Sequence, residues 1–153
     1  MIRNEPEYQE ALRRLEQDRY VAAKQREALG SAGLREEEVE RGMEPLLSFQ
    51  AQLAEEIEWY ENVRRRNFPV IHRLTDVGRL LVALRIANGM SQRELADRLG
   101  VSESVVSRDE RNEYHGITVE RAQRILDALR QGITVQVDDA SSLDDEQRLV
   151  AAG

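Results

Sequence analysis

Residues 90–111, MSQRELADRLGVSESVVSRDER, constrain the fold more than any other stretch of the chain. Ser91 followed three residues later by Glu94 has the spacing of a capping box, which opens a helix. Gly100 predicts where that helix ends, because glycine adopts the left-handed backbone of a sharp turn at little cost. Ser102 then opens a second helix. The stretch therefore predicts two short helices joined by a tight turn.

The side chains of these two predicted helices separate into apolar and polar faces. Leu95, Ala96 and Leu99 give the first helix an apolar stripe, and the small Ala96 allows the helices to cross closely. Val105 and Val106 are the inward positions of the second helix. Proteins use this helix-turn-helix to place one helix in the major groove of DNA. The pattern predicts a DNA-binding module.

Residues 92–111 resemble the helix-turn-helix of the Cro and λ repressor-type regulators, the XRE family. The residues that carry the resemblance are Gln92, Ala96, Gly100, Glu103, Ser104 and Val106. Asp109 departs from the family, which has an aliphatic residue at that position. The resemblance extends over residues 74–129 and implies a five-helix DNA-binding domain. It also implies that Gln92 braces the residue that opens the recognition helix.

Eight polar residues are predicted to contact double-stranded DNA. They are Gln92, Arg93, Ser102, Glu103, Ser104, Ser107, Arg108 and Arg111. Arg108 has the chemistry to bind guanine through two hydrogen bonds, and Glu103 can accept one from a cytosine amino group. Arg93 and Arg111 are assigned to phosphates, which position the protein but carry no sequence information.

The charge of the second predicted helix leaves open the alternative that it is a solvated surface helix. Residues 102–113 hold four acids and two arginines, which is also typical of a solvated surface face, and Arg93 can instead pair with Asp97 on its own helix. The whole chain carries a net charge of −7. Residues 1–69 contribute −4, residues 70–134 contribute +1 and residues 135–153 contribute −4. A domain this weakly basic predicts weak non-specific DNA affinity with a modest salt dependence.

The first half of the chain predicts a helical hairpin. Asn4 and Glu7 can cap a helix that runs to about Leu29, and a glycine-containing turn follows. A heptad seam then spans Val39, Met43, Leu46, Gln50, Leu53, Ile57 and Tyr60. Gly42 and Pro45 predict a kink or break near its start, so the firm prediction is a helix over 46–65. The seam can pack on the first helix, on a second copy as a coiled coil, or on another protein.

The chain is therefore expected to be all-α, with a hairpin over 1–66 and a DNA-binding domain over 74–132. A linker over 67–73 joins them, because the residue before Pro69 is disfavoured in a helix. Residues 133–137 alternate apolar and polar side chains, as a short strand does. Such a strand has nothing to pair with in its own domain; it pairs with a second copy or a partner, or stays extended. The acidic remainder to residue 153 has the composition of a flexible tail.

The predicted function is a transcriptional repressor that binds a palindromic site as a homodimer. The alternative is an antitoxin, similar to those of the HigA type, whose acidic hairpin and tail bind a basic toxin and which regulates its own operon. No enzyme, metal or cofactor is expected, because the chain has no cysteine, its two histidines have no ligand or catalytic spacing, and no glycine-rich phosphate loop is present. The polar N-terminus and the lack of a long apolar run predict a cytoplasmic protein with no membrane partner.

Overall fold

The computed structural model describes residues 1–137, which form six α-helices and one short 3-10 helix. The α-helices are α1 Glu5–Ser31, α2 Glu36–Arg64, α3 Val77–Ala87, α4 Gln92–Leu99, α5 Glu103–Arg111 and α6 Val119–Leu129. The predicted all-α class is confirmed for this part of the chain. Contacts divide it into two units: Met1–Phe68 together with Ile86–Ser91, and Pro69–Arg85 together with residues from Gln92 onward.

Helices α1 and α2 pack against each other as an antiparallel hairpin in the first unit. The Asn4 side chain accepts a hydrogen bond from the backbone N–H of Glu7 at 2.9 Å, as the sequence predicted for the start of α1. Gly33, with a φ of 82°, lies in the turn between the helices. At the other end of the hairpin the rings of Tyr8 and Tyr60 stack with centroids 5.0 Å apart.

The heptad seam of α2 faces α1. Val39, Met43, Ile57 and Tyr60 are buried, and the remaining seam positions are half-buried. Gln50 donates from Nε2 to the backbone oxygen of Asp18 in α1 at 2.7 Å, so even the polar seam position is satisfied within the chain. Of the three partners that the sequence left open for the seam, the structure shows the first helix.

Of the kink or break predicted near the start of α2, the break is absent. The helix begins at Glu36 and continues through Pro45. Proline removes one backbone hydrogen bond from a helix, but packing can compensate for that loss. Here Val39 and Met43, on the N-terminal side of Pro45, are buried against Ala22 of α1 and hold the first turns of α2 in place.

The second unit is built around the packing of α4 with α5 and α6. Its most deeply buried apolar side chains come from four helices and include Leu81, Val82, Leu95, Val106 and Ile125. Thr118 caps α6 by accepting from the backbone N–H of Arg121 at 3.2 Å, as predicted. Among the described residues the predicted five-helix domain contains four α-helices, preceded by the 3-10 helix Leu74–Asp76.

Residues 131–137 form neither helix nor strand. The candidate strand over 133–137 is therefore absent from this single chain, because a strand exists only as part of a hydrogen-bonded ladder and residues 1–137 supply no second strand. The predicted acidic tail beyond residue 137 lies outside the described residues. None of the helices within 1–137 has both the length and the hydropathy to cross a bilayer.

The hairpin packing predicts the effect of truncating Met43, whose side chain is 2% exposed. Met43→Ala should lower the free energy of unfolding by about 2–5 kcal/mol, because it leaves a cavity between the two helices. Urea unfolding followed by circular dichroism measures this loss. The control is Phe49→Ala, on the same helix and 67% exposed, which should change stability by less than about 0.5 kcal/mol. Equal losses for both variants would contradict the assigned packing.

Candidate nucleic-acid interface

Helices α4 and α5 have the predicted geometry of two short helices around a sharp turn. The turn contains Gly100 with a φ of 67°, and the backbone N–H of Val101 bonds to the carbonyl of Ala96 at 3.0 Å. Leu95, Ala96 and Val106 are buried where the two helices pack. Apolar residues at helical spacing therefore fix the crossing, and glycine permits the short connection between the helices.

The predicted contact residues lie at the start of α4 and on α5. By helical periodicity, positions 104, 108 and 111 lie on the side of α5 away from the buried positions 106 and 110, and position 107 borders that side. Position 103 is seven residues before Glu110 and therefore lies on the same side of the helix as Glu110, in its exposed first turn. Gln92 and Ser107 are half-buried, and the other six predicted contact residues are exposed. Ser102 is the N-cap residue of α5, with its hydroxyl oxygen 2.9 Å from that of Ser104.

A buried ion pair holds α5 to α3. Arg85 donates to Glu110 through Nε to Oε1 at 2.5 Å and through Nη2 to Oε2 at 2.7 Å. Both side chains are almost completely buried, at 3% and 0% exposure. A bidentate arginine–carboxylate pair is both strong and directional, so it sets the rotation of α5 about its own axis.

Gln92 completes this buried cluster. Its Nε2 donates to Oε2 of Glu110 at 2.7 Å, which ties the first residue of α4 to the last turns of α5. The sequence had predicted that Gln92 braces the residue that opens α5. The structure shows it bonded eight residues further along, to the buried Glu110, whose carboxylate oxygens need hydrogen-bond donors.

Asp109 is held by a second arginine. Its Oδ2 accepts a hydrogen bond from Nη2 of Arg121 in α6, and its side chain is 21% exposed. The family's aliphatic position is thus filled here by an acid whose charge is neutralised within the same unit. Helix α5 continues past it to Arg111.

One comparison with known proteins gives a family match for this part of the chain. Residues 81–135 match the helix-turn-helix family. These residues form an XRE-family helix-turn-helix domain. Domains of this family bind DNA, so the match supports a role for residues 81–135 in DNA-binding transcription regulation. Searches with the chain match no curated protein. They match no solved structure either.

The internal arginines change the charge that the helix-turn-helix domain presents. Of the four acids in residues 102–113, Asp109 and Glu110 are bound by arginines from α6 and α3. Glu103 and Glu113 remain exposed, together with Arg108 and Arg111. The net charge of −2 read from the sequence is therefore balanced by two positive charges that come from elsewhere in the domain. The negative charge of residues 102–113 is therefore no longer a reason to expect that α5 avoids DNA.

The loop that follows α5 is positioned by a close backbone approach. A Cβ atom added to Gly78 of α3 would lie 1.9 Å from the carbonyl oxygen of Glu113, so only glycine fits there. Glu113 and Tyr114 both have positive φ values, 49° and 51°. Tyr114 is buried, and burial raises the pKa of its phenol well above the usual value.

Sequence reasoning missed the buried cluster and the Gly78 contact. Arg85 and Glu110 are 25 positions apart. From the sequence, Glu110 was weighed only as part of a solvated helix face, and Arg85 was not considered. The available signal was the position of Arg85 within a run of apolar residues, where a charge needs a buried partner. Gly78 was visible as a glycine in the first turn of an apolar helix, but its neighbour across the domain was not.

The buried pair predicts a large effect of removing its carboxylate. Glu110→Gln should lower the free energy of unfolding by about 3–5 kcal/mol, because the Arg85 guanidinium stays buried without an opposite charge. Chemical unfolding of the purified protein measures this. As the matched control, Glu113→Gln removes an equal charge from an exposed site and should cost less than about 0.5 kcal/mol. If the two variants lose the same stability, the Arg85–Glu110 pair does not hold α5.

Proposed function

We propose that the chain is a sequence-specific transcriptional repressor that binds a palindromic operator as a homodimer, with α5 in the major groove. The observation that carries this proposal is the neutralisation of Asp109 and Glu110 by arginines behind α5. The outer face of α5 is then free to meet DNA. Two such helices, related by a two-fold axis, read half-sites about 34 Å apart.

Specific roles follow from exposure and chemistry. Arg108 is 69% exposed and is assigned to a guanine, with Ser104 and Glu103 as further base contacts near the start of α5. Its Nε is 3.9 Å from Asp109 Oδ1, a separation too long to hold the side chain in one position. Arg93 and Arg111 are assigned to phosphates. The proposed location is the cytoplasm. The protein is proposed to act by binding DNA and not as an enzyme.

The weak positive charge of the DNA-binding part fits the dimer. One copy neutralises few phosphates, so a single domain binds DNA weakly. Two linked copies bind two half-sites together, and the second contact then forms at a high effective concentration. Specificity in this arrangement comes from the requirement that both half-sites are present.

The role of Arg108 is tested by substitution. Arg108→Ala should weaken binding to the cognate duplex by about 1–3 kcal/mol and relax the preference at one base pair, because an arginine–guanine contact is lost. The measurement is fluorescence anisotropy with the duplex upstream of the protein's own gene and with a scrambled duplex. Low and physiological salt separate specific from electrostatic binding.

A matched control separates base contact from general charge. Arg124→Ala removes an equal charge from an exposed position of α6 and should leave the difference between the two duplexes unchanged. The assignment of α5 as the recognition helix fails if Arg108→Ala and the wild type discriminate between the duplexes equally well. The proposed sequence-specific function fails if the wild type binds both duplexes with the same affinity.

A second function, that of an antitoxin, is favoured by the hairpin surface. An open groove of about 650 Å³ lies along α2 and is lined by Arg26, Glu37, Glu40, Arg41, Glu44, Leu47, Ser48 and Ala51. Leu47 is 45% exposed beside three glutamates. An apolar side chain rimmed by acids suits a basic amphipathic segment of a partner protein.

Co-purification with the protein encoded beside its gene tests this second function. The triple variant Glu37→Gln, Glu40→Gln and Glu44→Gln should weaken such a complex at least tenfold at physiological salt, because the rim acids are gone. The control carries the same three-charge change outside the groove, at Glu10, Glu16 and Glu27 of α1. Equal affinity for wild type and both variants, or no complex at all, would remove the antitoxin function from consideration.

A further inference from the structure

The segment after α6 exposes three apolar side chains. Helix α6 ends at Leu129, and Arg130 turns the chain with a φ of 53°. Ile133, Val135 and Val137 are then 43%, 68% and 93% exposed. They occupy alternate positions, which places them on one face of the chain whenever the segment is extended.

The structure removes the hairpin seam as a competing dimer contact. Seam residues of α2 pack on α1, and Gln50 bonds to the backbone of that helix. A second copy cannot use the seam without first opening the hairpin. Residues 133–137, in contrast, have unpaired apolar side chains and no ladder partner in the described part of the chain.

Charge favours a second copy as the occupant. Residues 131–137, QGITVQV, contain no charged side chain. Residues 1–69 carry a net charge of −4, and residues 138–153 also carry −4, so two copies that meet through either of these parts bring like charges together. Pairing through residues 131–137 places no charged side chain of one copy opposite a like charge of the other within the paired segment.

We propose that residues 133–137 of two copies pair as antiparallel strands centred on Val135. This rests on the proposed homodimeric function and names the contact that forms the dimer. In this register Val135 lies opposite itself, and Ile133 lies opposite Val137 of the second copy. All three apolar side chains of each copy then lie on one face of a two-stranded ladder, with Thr134 and Gln136 on the other face.

The same contact explains why the strand is missing from a single chain. The backbone N–H and C=O groups of an isolated extended segment bond only to water, and the ladder forms when the second copy supplies the partners. A pair of five-residue strands is a small interface, so the dimer is weak in solution. Binding of both copies to one operator then stabilises it.

Cysteine cross-linking of the full chain tests the register. The chain has no cysteine, so a single Val135→Cys substitution can form a disulfide only between two copies. Directly opposed Cβ atoms are about 4.5–5.5 Å apart, within disulfide reach. Under mild oxidation Val135→Cys should give linked dimer at least about tenfold faster than Thr134→Cys or Gln136→Cys, whose cysteines are about 7–8 Å apart in this register. Non-reducing gels measure the rates.

Three results would overturn the proposal. Equal rates for the three variants would indicate parallel or unspecific contact, and a faster rate at position 134 or 136 would indicate another register. A faster rate for Phe49→Cys, on the exposed side of α2, would place the dimer contact on the hairpin. Each result is read without DNA, at protein concentrations from 1 to about 100 times the dissociation constant measured for dimerisation.

DNA binding separates this proposal from the function on which it rests. Val135→Lys places two like charges opposite each other and should weaken binding to the upstream duplex at least about tenfold, with little change for a duplex cut to one half-site. If the wild type binds the upstream duplex specifically and Val135→Lys binds it equally well, the strand contact is wrong and the repressor function stands. If the wild type shows no sequence preference, the repressor function fails whatever the cross-linking shows.

Discussion

The geometry of the helix-turn-helix depends on one buried ion pair, Arg85 with Glu110. Two charges removed from water are costly unless each is bound by the other in good geometry, and here the pair is bidentate with Gln92 as a third member. The three residues come from α3, α4 and α5, so one cluster fixes the mutual rotation of three helices. Apolar packing brings these helices together, but its lack of direction cannot specify which face of α5 points outward. The ion pair supplies that direction.

In this domain, arginines on neighbouring helices pair with two acidic side chains of α5. The arginines at 85 and 121 lie behind α5 and bind its inward and lateral acids, while Arg108 and Arg111 are on its outer side. An acidic chain can therefore present a DNA-binding surface without a strongly basic domain. The consequence is modest electrostatic affinity, so under the proposed function base contacts and two half-sites contribute most of the specificity.

The hairpin uses its strongest association signal internally. A heptad seam in α2 could equally have formed a coiled coil between copies, but α1 covers it and satisfies Gln50 with a backbone carbonyl. What remains exposed on the hairpin is an acidic surface with a groove beside Leu47, and what remains exposed near the end of the DNA-binding part is the uncharged segment over 131–137. These two surfaces have different chemistry, one acidic around an apolar side chain and the other apolar and uncharged.

The sequence alone determined the elements whose signals are local. The caps at Asn4 and Thr118, the turn at Gly100 and the periodicity of the apolar residues follow from neighbours within about one or two turns of a helix, so they could be read in order along the chain. Only the tertiary structure decided the partners of distant residues. Arg85 meets Glu110, Arg121 meets Asp109 and α1 covers the seam, while packing by α1 keeps α2 helical across Pro45. The physical reason is that a local pattern states which side chains need a partner, whereas the packing of helices determines which partner each one obtains.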